Sequence, residues 1–325
     1  MSAVIVNRLR LQPSSATLSP WQADTLLGHL CWEAYFAGGD KELEDFLAPF
    51  RAGKPPFVLS DGFPGETFPR PLLPPPERVR GSKTEREDAM DQAKQAKKIA
   101  RLTQAQFEQI LRGESPAPDV DDISATVNVT LKNQINRLTG TTRGAEEDAD
   151  DGNLYAVKEY MVYRKDGRVR VPVPITIYFW AESDAAAQDL EERFRSLARG
   201  GYGKKKSAGY GRFEVHGRDA ITLHVPDDAN GIVALANFVP AVGDPREGYY
   251  KTRVKYGKLG EAAILAGKAL SPFKFPLVML TAGSTFYSAR RDFIGRLVAP
   301  IHPDDPRIVQ GAFAPVLPIK LGALG

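Results

Sequence analysis

The sequence predicts an α+β architecture in two domains, the first interrupted by a long insertion. Three observations carry that prediction. The chain has 325 residues, whereas a single core stops growing at about 250. Up to residue 217 the apolar patterning runs strand, helix, strand, strand, helix, strand. Beyond that point strand-like runs recur almost alone.

The elements follow in order. Residues 3–11, AVIVNRLRL, alternate with period two and predict a strand. Ser19 is the expected N-cap of a helix with Pro20 at its first position; Ala23, Leu27, Leu30, Cys31 and Ala34 share its apolar face, and Gly38 and Gly39 end it. Residues 54–76 are a proline-rich, rigid connector with one short strand at 57–59. Residues 83–113 read as a mostly solvated helix. A second start inside it is marked by Thr103 and Gln106, at capping-box spacing ahead of Phe107, Ile110 and Leu111. Loops rich in proline, glycine and acids at 113–123 and 140–153 flank VNVTLKNQINRLTG, which alternates like an exposed strand. Two more strands, LYAVKEYMVYR and VRVPVPITIYFWAE, precede a helix with Ser183 as N-cap, Leu190, Phe194 and Leu197 as its stripe, and Gly200 as its left-handed cap. RFEVHG at 212–217 closes the set. This order is the split βαβ, or ferredoxin-like (RRM-like), arrangement, assigned to residues 1–217 with an insertion at about 64–153. Residues 218–325, with AITLHV, GIVALANFV, YYKTRVKY, FPLVMLTAG, RLVAPI and a short helical piece near 260–266, are expected to form a smaller, degenerate ferredoxin-like domain.

Composition narrows the function. Hydrophobic residues make up 42% and charged residues 26%, an ordinary globular balance. No apolar run approaches the roughly 18 residues that span a bilayer, so no membrane partner is expected. The N-terminus reads as a strand instead of a signal peptide. A single cysteine, Cys31 on the apolar helix face, excludes an internal disulfide and fits a reducing cytoplasm. The histidines His29, His216, His224 and His302 are scattered, with no metal-ligand spacing among them. Asp24 and Asp61 are conceivable catalytic carboxylates, but such residues more often cap helices and turns. The acids Glu146, Glu147, Asp148, Asp150 and Asp151 read most simply as a disordered loop. No residue set calls for a metal or an organic cofactor.

Net charge is only +3, so an anionic partner must be met by local patches. One patch is GGYGKKKSAGYGRFEV at 200–215, flanked by Arg199 and Arg218. It fails the Walker spacing, because Ser207 comes too late after Gly203 and Lys204. It also fails the dinucleotide fingerprint, because neither Gly201 with Gly203 nor Gly209 with Gly211 has a third glycine in place. What remains is a loop whose glycines let a polyanion approach the main chain, whose lysines supply charge and whose tyrosines can stack on bases. That reading assigns RNA contacts to Gly201, Tyr202, Gly203, Lys204, Lys205, Lys206, Ser207, Gly209, Tyr210 and Arg212. The plainer alternative is a solvated basic turn whose first glycine caps a helix. A second patch at 249–258 holds Lys251, Arg253, Lys255 and Lys258 with three tyrosines and no acid. Strand alternation would set Lys251, Arg253 and Lys255 about 7 Å apart on one RNA-facing side.

Taken together, these residues resemble a known family. A glycine-rich loop between the second helix and last strand of a ferredoxin-like domain resembles the hallmark of the RAMP proteins of CRISPR systems. ADTLLGHLCW, PFVLSDGFP with PRPLLP, KKIARLTQAQFEQILRG, NQINRLTG with LYAVKEY, and FPLVMLTAGSTF look, in order and along nearly the whole chain, like the fourth-subunit family of the type III-A (Csm) effector complex. The resemblance implies a non-catalytic subunit that clamps the repeat-derived 5' tag of the CRISPR RNA. It would bind the large polymerase-like subunit on one side and a backbone RAMP subunit on the other. It also implies a thumb hairpin in the insertion, pressed against the target RNA duplex. Arg137 in NQINRLTG, and the turn Gly283, Ser284, Thr285, Phe286 as a second glycine motif, would then join the RNA contacts. The acid-rich stretch at 144–152 departs from the family pattern and leaves the thumb boundaries open. A competing function is a metal-independent endoribonuclease cutting precursor CRISPR RNA, for which His29 is the one candidate base.

Overall fold

The structure is a computed structural model that describes residues 2–74, 101–116, 123–133, 154–166, 168–260 and 271–322. Its first half is built from β1 (Ser2–Pro13), α1 (Ala23–Arg51), β2 (Phe57–Pro64), β3 (Phe68–Pro69), β4 (Arg101–Leu102), α2 (Gln104–Leu111), β5 (Ile123–Asn133), β6 (Leu154–Asp166), β7 (Val169–Pro172), β8 (Ile175–Ala181), α3 (Asp184–Gly200) and β9 (Phe213–Val225). The second half holds β10 (Gly231–Ala234), β11 (Gly248–Tyr249), β12 (Thr252–Lys255), β13 (Leu277–Leu280), β14 (Thr285–Tyr287), β15 (Phe293–Val298) and β16 (Gln310–Ile319). Among the described residues no helix is long and apolar enough to cross a membrane.

The main sheet runs β2–β8–β1–β9, with every described pairing antiparallel. Alternation in β1 sends Leu9 and Leu11 to one face, where they meet Leu26, Leu27 and Leu30 of α1 and Leu190, Phe194 and Leu197 of α3. Val6, Tyr178 and Leu223 face the other way, into a second cluster with Phe68 and with Phe107, Ile110 and Leu111 of α2. The capping box at Thr103 and Gln106 is present as expected, each side chain bonding the other's backbone N–H. Ser183 caps α3 through Ala186 N–H.

α1 departs from expectation at both ends. It starts at Ala23 instead of Pro20, because residues up to Gln22 stay extended and are pinned by Tyr202: its hydroxyl donates to Pro20 O (2.6 Å) and accepts from Gln22 N–H (3.2 Å). The cap comes from a distant strand, as Ala23 N–H donates to Asp61 Oδ1 at 2.9 Å. Gly38 and Gly39 do break the helix, Gly39 at φ +69°, but a second helical stretch continues to Arg51. It brings Phe46, Leu47 and Phe50 into the core.

The second half is a sheet in the order β11–β14–β10–β16–β15, with β12 and β13 forming a separate two-stranded ribbon. Among the described residues no α-helix follows Gly200; the helical piece expected near 260–266 lies outside them. β16 is a strand the apolar pattern does not mark, and it is buried along all ten residues. It pairs with β15 up to Pro315 and with β10 from Val316, so Pro315 sits where the strand changes neighbour. α1 packs on both the main sheet and β16, and β16 also meets β2 directly. Gly311 is what permits the approach, since a Cβ there would fall 2.1 Å from Leu27 Cδ2. One core cluster therefore includes Leu9, Ile177, Phe286, Phe313 and Val316 together. The boundary placed at 217/218 falls inside β9, at a bulge where His216 is the extra residue between Gly217 (φ +117°), opposite Arg10, and Val215, opposite Leu11.

Candidate nucleic-acid interface

The glycine loop grows out of the end of α3. Gly200 is the last helical residue and Gly201, at φ +78°, takes the left-handed position expected one residue earlier; its N–H donates to Leu197 O at 2.9 Å. Tyr202 then turns inward. Its ring is 0% exposed and stacked on Trp21 at 4.2 Å, with Phe213 edge-on to Trp21 in turn, so it is not available to stack on a base. The loop closes where Tyr202 N–H meets Gly211 O (2.8 Å), and it is stapled to the strand-to-helix connection by Gly211 N–H to Ala16 O (2.9 Å) and Arg212 N–H to Ser15 Oγ (2.9 Å). From below, Gly203 N–H donates to His29 Nε2 at 3.0 Å. Burial, with Lys206 nearby, lowers His29 to about 4. The ring is neutral at pH 7 and its Nε2 lone pair is engaged, which removes it from the role of a free general base.

On that base stands a basic tip. Lys204, Ser207 and Arg212 are exposed and Lys206 half-buried, and among the described residues no carboxylate pairs with Lys204, Lys206 or Arg212. Lys205 is the one non-glycine residue described at positive φ (+56°), a backbone state costing about 1–2 kcal/mol. That conformation carries its Nζ to Tyr155 Oη (3.0 Å) and over the Tyr155 ring (4.3 Å) on β6. Tyr210 is held between the Lys132 ammonium on β5 and the Glu159 carboxylate on β6. Loop and hairpin thus share one surface, and β5 pairs with β6 in a register that sets Lys132 opposite Tyr155. Neither Lys132 nor Tyr155 was singled out from sequence, although the alternation of the two strands placed both on one face. Arg137 lies outside the described residues, as do the acids at 146–151.

Alanine scanning of the loop separates its parts. Gly209 has φ +87° and open space where a Cβ would go, so Gly209→Ala is expected to cost about 1–2 kcal/mol for backbone strain alone. Its melting curve should stay close to wild type, and an unfolded variant would contradict this account.

The second patch is divided. Lys251 and Arg253 are exposed. Lys255 is turned inward to the Asp24 carboxylate and to Thr25 Oγ1 (2.8 Å), with its side chain 18% and that of Asp24 1% exposed. Alternation in β12 holds for Arg253 and Lys255, yet the inner side of the ribbon faces α1, and the buried carboxylate takes the lysine. The turn at Gly283 is likewise closed. A Cβ there would lie 2.3 Å from Arg70 O; Ser284 Oγ donates to Thr281 O and Thr285 Oγ1 to Leu72 O; Phe286 is 1% exposed. Its hydroxyls and ring are spent on packing and are not presented to RNA.

Asp61 is the N-terminal cap of α1 and also accepts from Asn237 Nδ2 at 2.5 Å. Burial raises its carboxyl to about 7; Asp24 nearby pushes the same way, while the Ala23 and Asn237 bonds and the Lys255 charge oppose it. A carboxyl raised in the folded state contributes stability in full below its ordinary value near 4 and loses it as pH climbs to about 7. The difference in unfolding free energy between wild type and Asp61→Asn should therefore turn against the wild type across pH 4–7. A difference flat across that interval would show that Asp61 ionises normally. Cys31 is pushed up to about 12 by burial, as suits an unreactive core thiol.

Comparison with known proteins bears on this geometry. No protein-family model matches the chain. A curated protein of Streptococcus thermophilus, "CRISPR system Cms protein Csm4", is 26% identical over 315 residues, covering 94% of this chain and 92% of that one. The chain resembles Csm4 from end to end. The resemblance seen in the sequence strings is borne out. Among solved structures, a Csm1–Csm4 cassette in complex with pppApA superposes with TM-score 0.57 at 14% identity, covering 98% of both chains. A Csm3–Csm4 subcomplex of the type III-A CRISPR-Cas interference complex gives 0.54 at 13% identity over 98% of this chain and 100% of that one. Both show that the Csm4 likeness extends to the fold.

Proposed function

We propose that the chain is the non-catalytic RNA-binding subunit of a type III-A CRISPR interference complex, clamping the repeat-derived 5' tag of the CRISPR RNA. In this reading it bridges a large polymerase-like subunit, like the Csm1 of the cassette structures, to backbone RAMP subunits such as Csm3. Residues 1–217 act as the ferredoxin-like RAMP domain, a reading supported by the order β2–β8–β1–β9 with α1 and α3 on one face. Residues 218–325 are its degenerate counterpart, and the β5–β6 hairpin belongs to the thumb that meets target RNA. The observation that carries the proposal is the basic loop tip: cations that no carboxylate pairs among the described residues, on a stapled glycine base beside Lys132 and Tyr155, in a chain similar to Csm4 along its length.

The tag then lies along Lys204, Lys206, Ser207, Gly209 and Arg212, with Lys205 and Tyr210 at the hairpin side. Replacing Lys204, Lys206 and Arg212 together by alanine should weaken binding of labelled tag RNA at least tenfold. The slope of log affinity against log salt should also fall by about 2, since each single-strand phosphate contributes about 0.7. An unchanged slope would refute the loop as the RNA site. Repeat RNA incubated with the wild-type chain should be recovered whole; discrete cleavage products would establish the endoribonuclease instead.

A further inference from the structure

Gly28 sits in the regular first half of α1, ahead of the break at Gly38 and Gly39. Glycine inside a helix is destabilising relative to alanine. Neither usual reason for it applies here, because the backbone at Gly28 is helical and a Cβ built there would meet no atom within 4 Å. The residue is exposed, so the helix turns bare backbone outward.

Two features flank that bare turn. The next residue, His29, accepts Gly203 N–H at 3.0 Å and so carries the glycine loop. One turn earlier, the Asp24 carboxylate and Thr25 Oγ1 hold Lys255 of the β12–β13 ribbon. With 3.6 residues per turn, Gly28 falls on the helix surface between His29 and Asp24. From Lys255 the chain follows α1 onward, since a Cβ at Gly260 would lie 3.2 Å from Trp32 Nε1. α1 is therefore a floor between loop and ribbon, and at Gly28 that floor carries no side chain.

The surroundings suit a polyanion with bases. Trp32 stacks on Phe36 at 5.6 Å with Tyr35 edge-on to it, and Phe36 is 64% exposed. The ribbon adds Tyr256, 75% exposed, and Lys258, whose Nζ stands 4.7 Å over the Phe273 ring. Among the described residues no carboxylate pairs with Lys258, just as none pairs with Lys204 or Lys206 on the loop. Cations along a groove with rings beside them are how proteins hold a single nucleic-acid strand.

We propose that the tag RNA leaves the basic loop across Gly28 and continues along the ribbon, its phosphates toward Lys258 and its bases against Tyr256 and Phe36. This second half-site rests on the reading of the loop as the tag site and extends it onto α1 and the other half of the chain.

The test measures binding of labelled tag RNA to the full chain by fluorescence anisotropy. Gly28→Gln fills the floor with an uncharged residue that favours helix more than glycine does, so the melting temperature should hold or rise. Tag affinity should nevertheless fall about tenfold, the scale of one overpacked side chain. Tyr256→Ser with Lys258→Ala alters only exposed side chains and should weaken binding about tenfold through the lost stacking. It should also lower the salt slope by about 0.7, one single-strand phosphate. Undiminished tag affinity in either folded variant, while the triple loop variant remains defective, overturns the half-site and leaves the loop reading standing. A Gly28→Gln variant that melts well below wild type would show the floor filled by the chain itself, against the proposal. Tag affinity kept with loss of pairing to a Csm1-like or Csm3-like subunit would make the strip a protein surface and overturn it too. If the wild-type chain binds no tag RNA, the loop reading falls and the half-site with it.

Discussion

Replacing Lys255 with methionine is expected to lower the free energy of unfolding by about 3–5 kcal/mol, the cost of leaving one member of a buried ion pair without its partner. Asp24 is 1% exposed, and apart from Lys255 its carboxylate accepts a side-chain bond from Gln310 Nε2 at 2.9 Å. Methionine matches the lysine stem in length but supplies no charge. Urea unfolding would give the loss directly. Asp24→Asn combined with Lys255→Met should recover much of it, because the double variant removes both members of the pair together. The same experiment discriminates between two roles for this lysine. An RNA contact would leave stability within about 0.5 kcal/mol of wild type, as exposed substitutions do, and would lower tag affinity instead. A loss below about 1 kcal/mol would overturn the ion pair's structural role.

Gly211→Ala should be comparably damaging. A Cβ at Gly211 would lie 1.8 Å from Tyr202 O, and the residue sits at φ +68°. No side-chain rotation relieves a clash with backbone. The substitution must therefore break the Tyr202–Gly211 bond, and with it the pairing of Gly211 N–H to Ala16 O. Loss of loop and ring packing together should exceed about 3 kcal/mol, the range of a buried aromatic removed from a core. Tag RNA affinity should collapse with it. Gly209→Ala, two residues away, is the matched control. If both variants melt alike, the loop is not organised as described.

Much of this was legible in the sequence because it is local. Period-two alternation, the Ser183 cap and the Thr103–Gln106 box each depend on residues within a few positions of one another, and each formed. The surface at the loop tip was legible for the same reason, since lysines among glycines have few ways to be buried. What failed to show was decided at long range. Asp61 caps a helix whose first residue lies 38 positions earlier, and Lys255 finds its carboxylate 231 positions away. Tyr202 has the look of a stacking residue among glycines, and only the Trp21 ring stacked on it and the bonds of its hydroxyl to Pro20 and Gln22 turn it inward. β16 was hidden by its two prolines, which ordinarily argue against a central strand.

Helix α1 has a consequence beyond packing. Because it packs on both the main sheet and β16, hinge motion between the halves would tear one continuous core. The chain is thus a stiff spacer. A nucleic-acid end gripped at the loop would be kept at a constant separation and angle from the second half of the chain, like work fixed in a jig. In such a molecule the setting of the two halves depends on close packing at α1, and a one-atom addition at Gly311, 2.1 Å from Leu27 Cδ2, would loosen it.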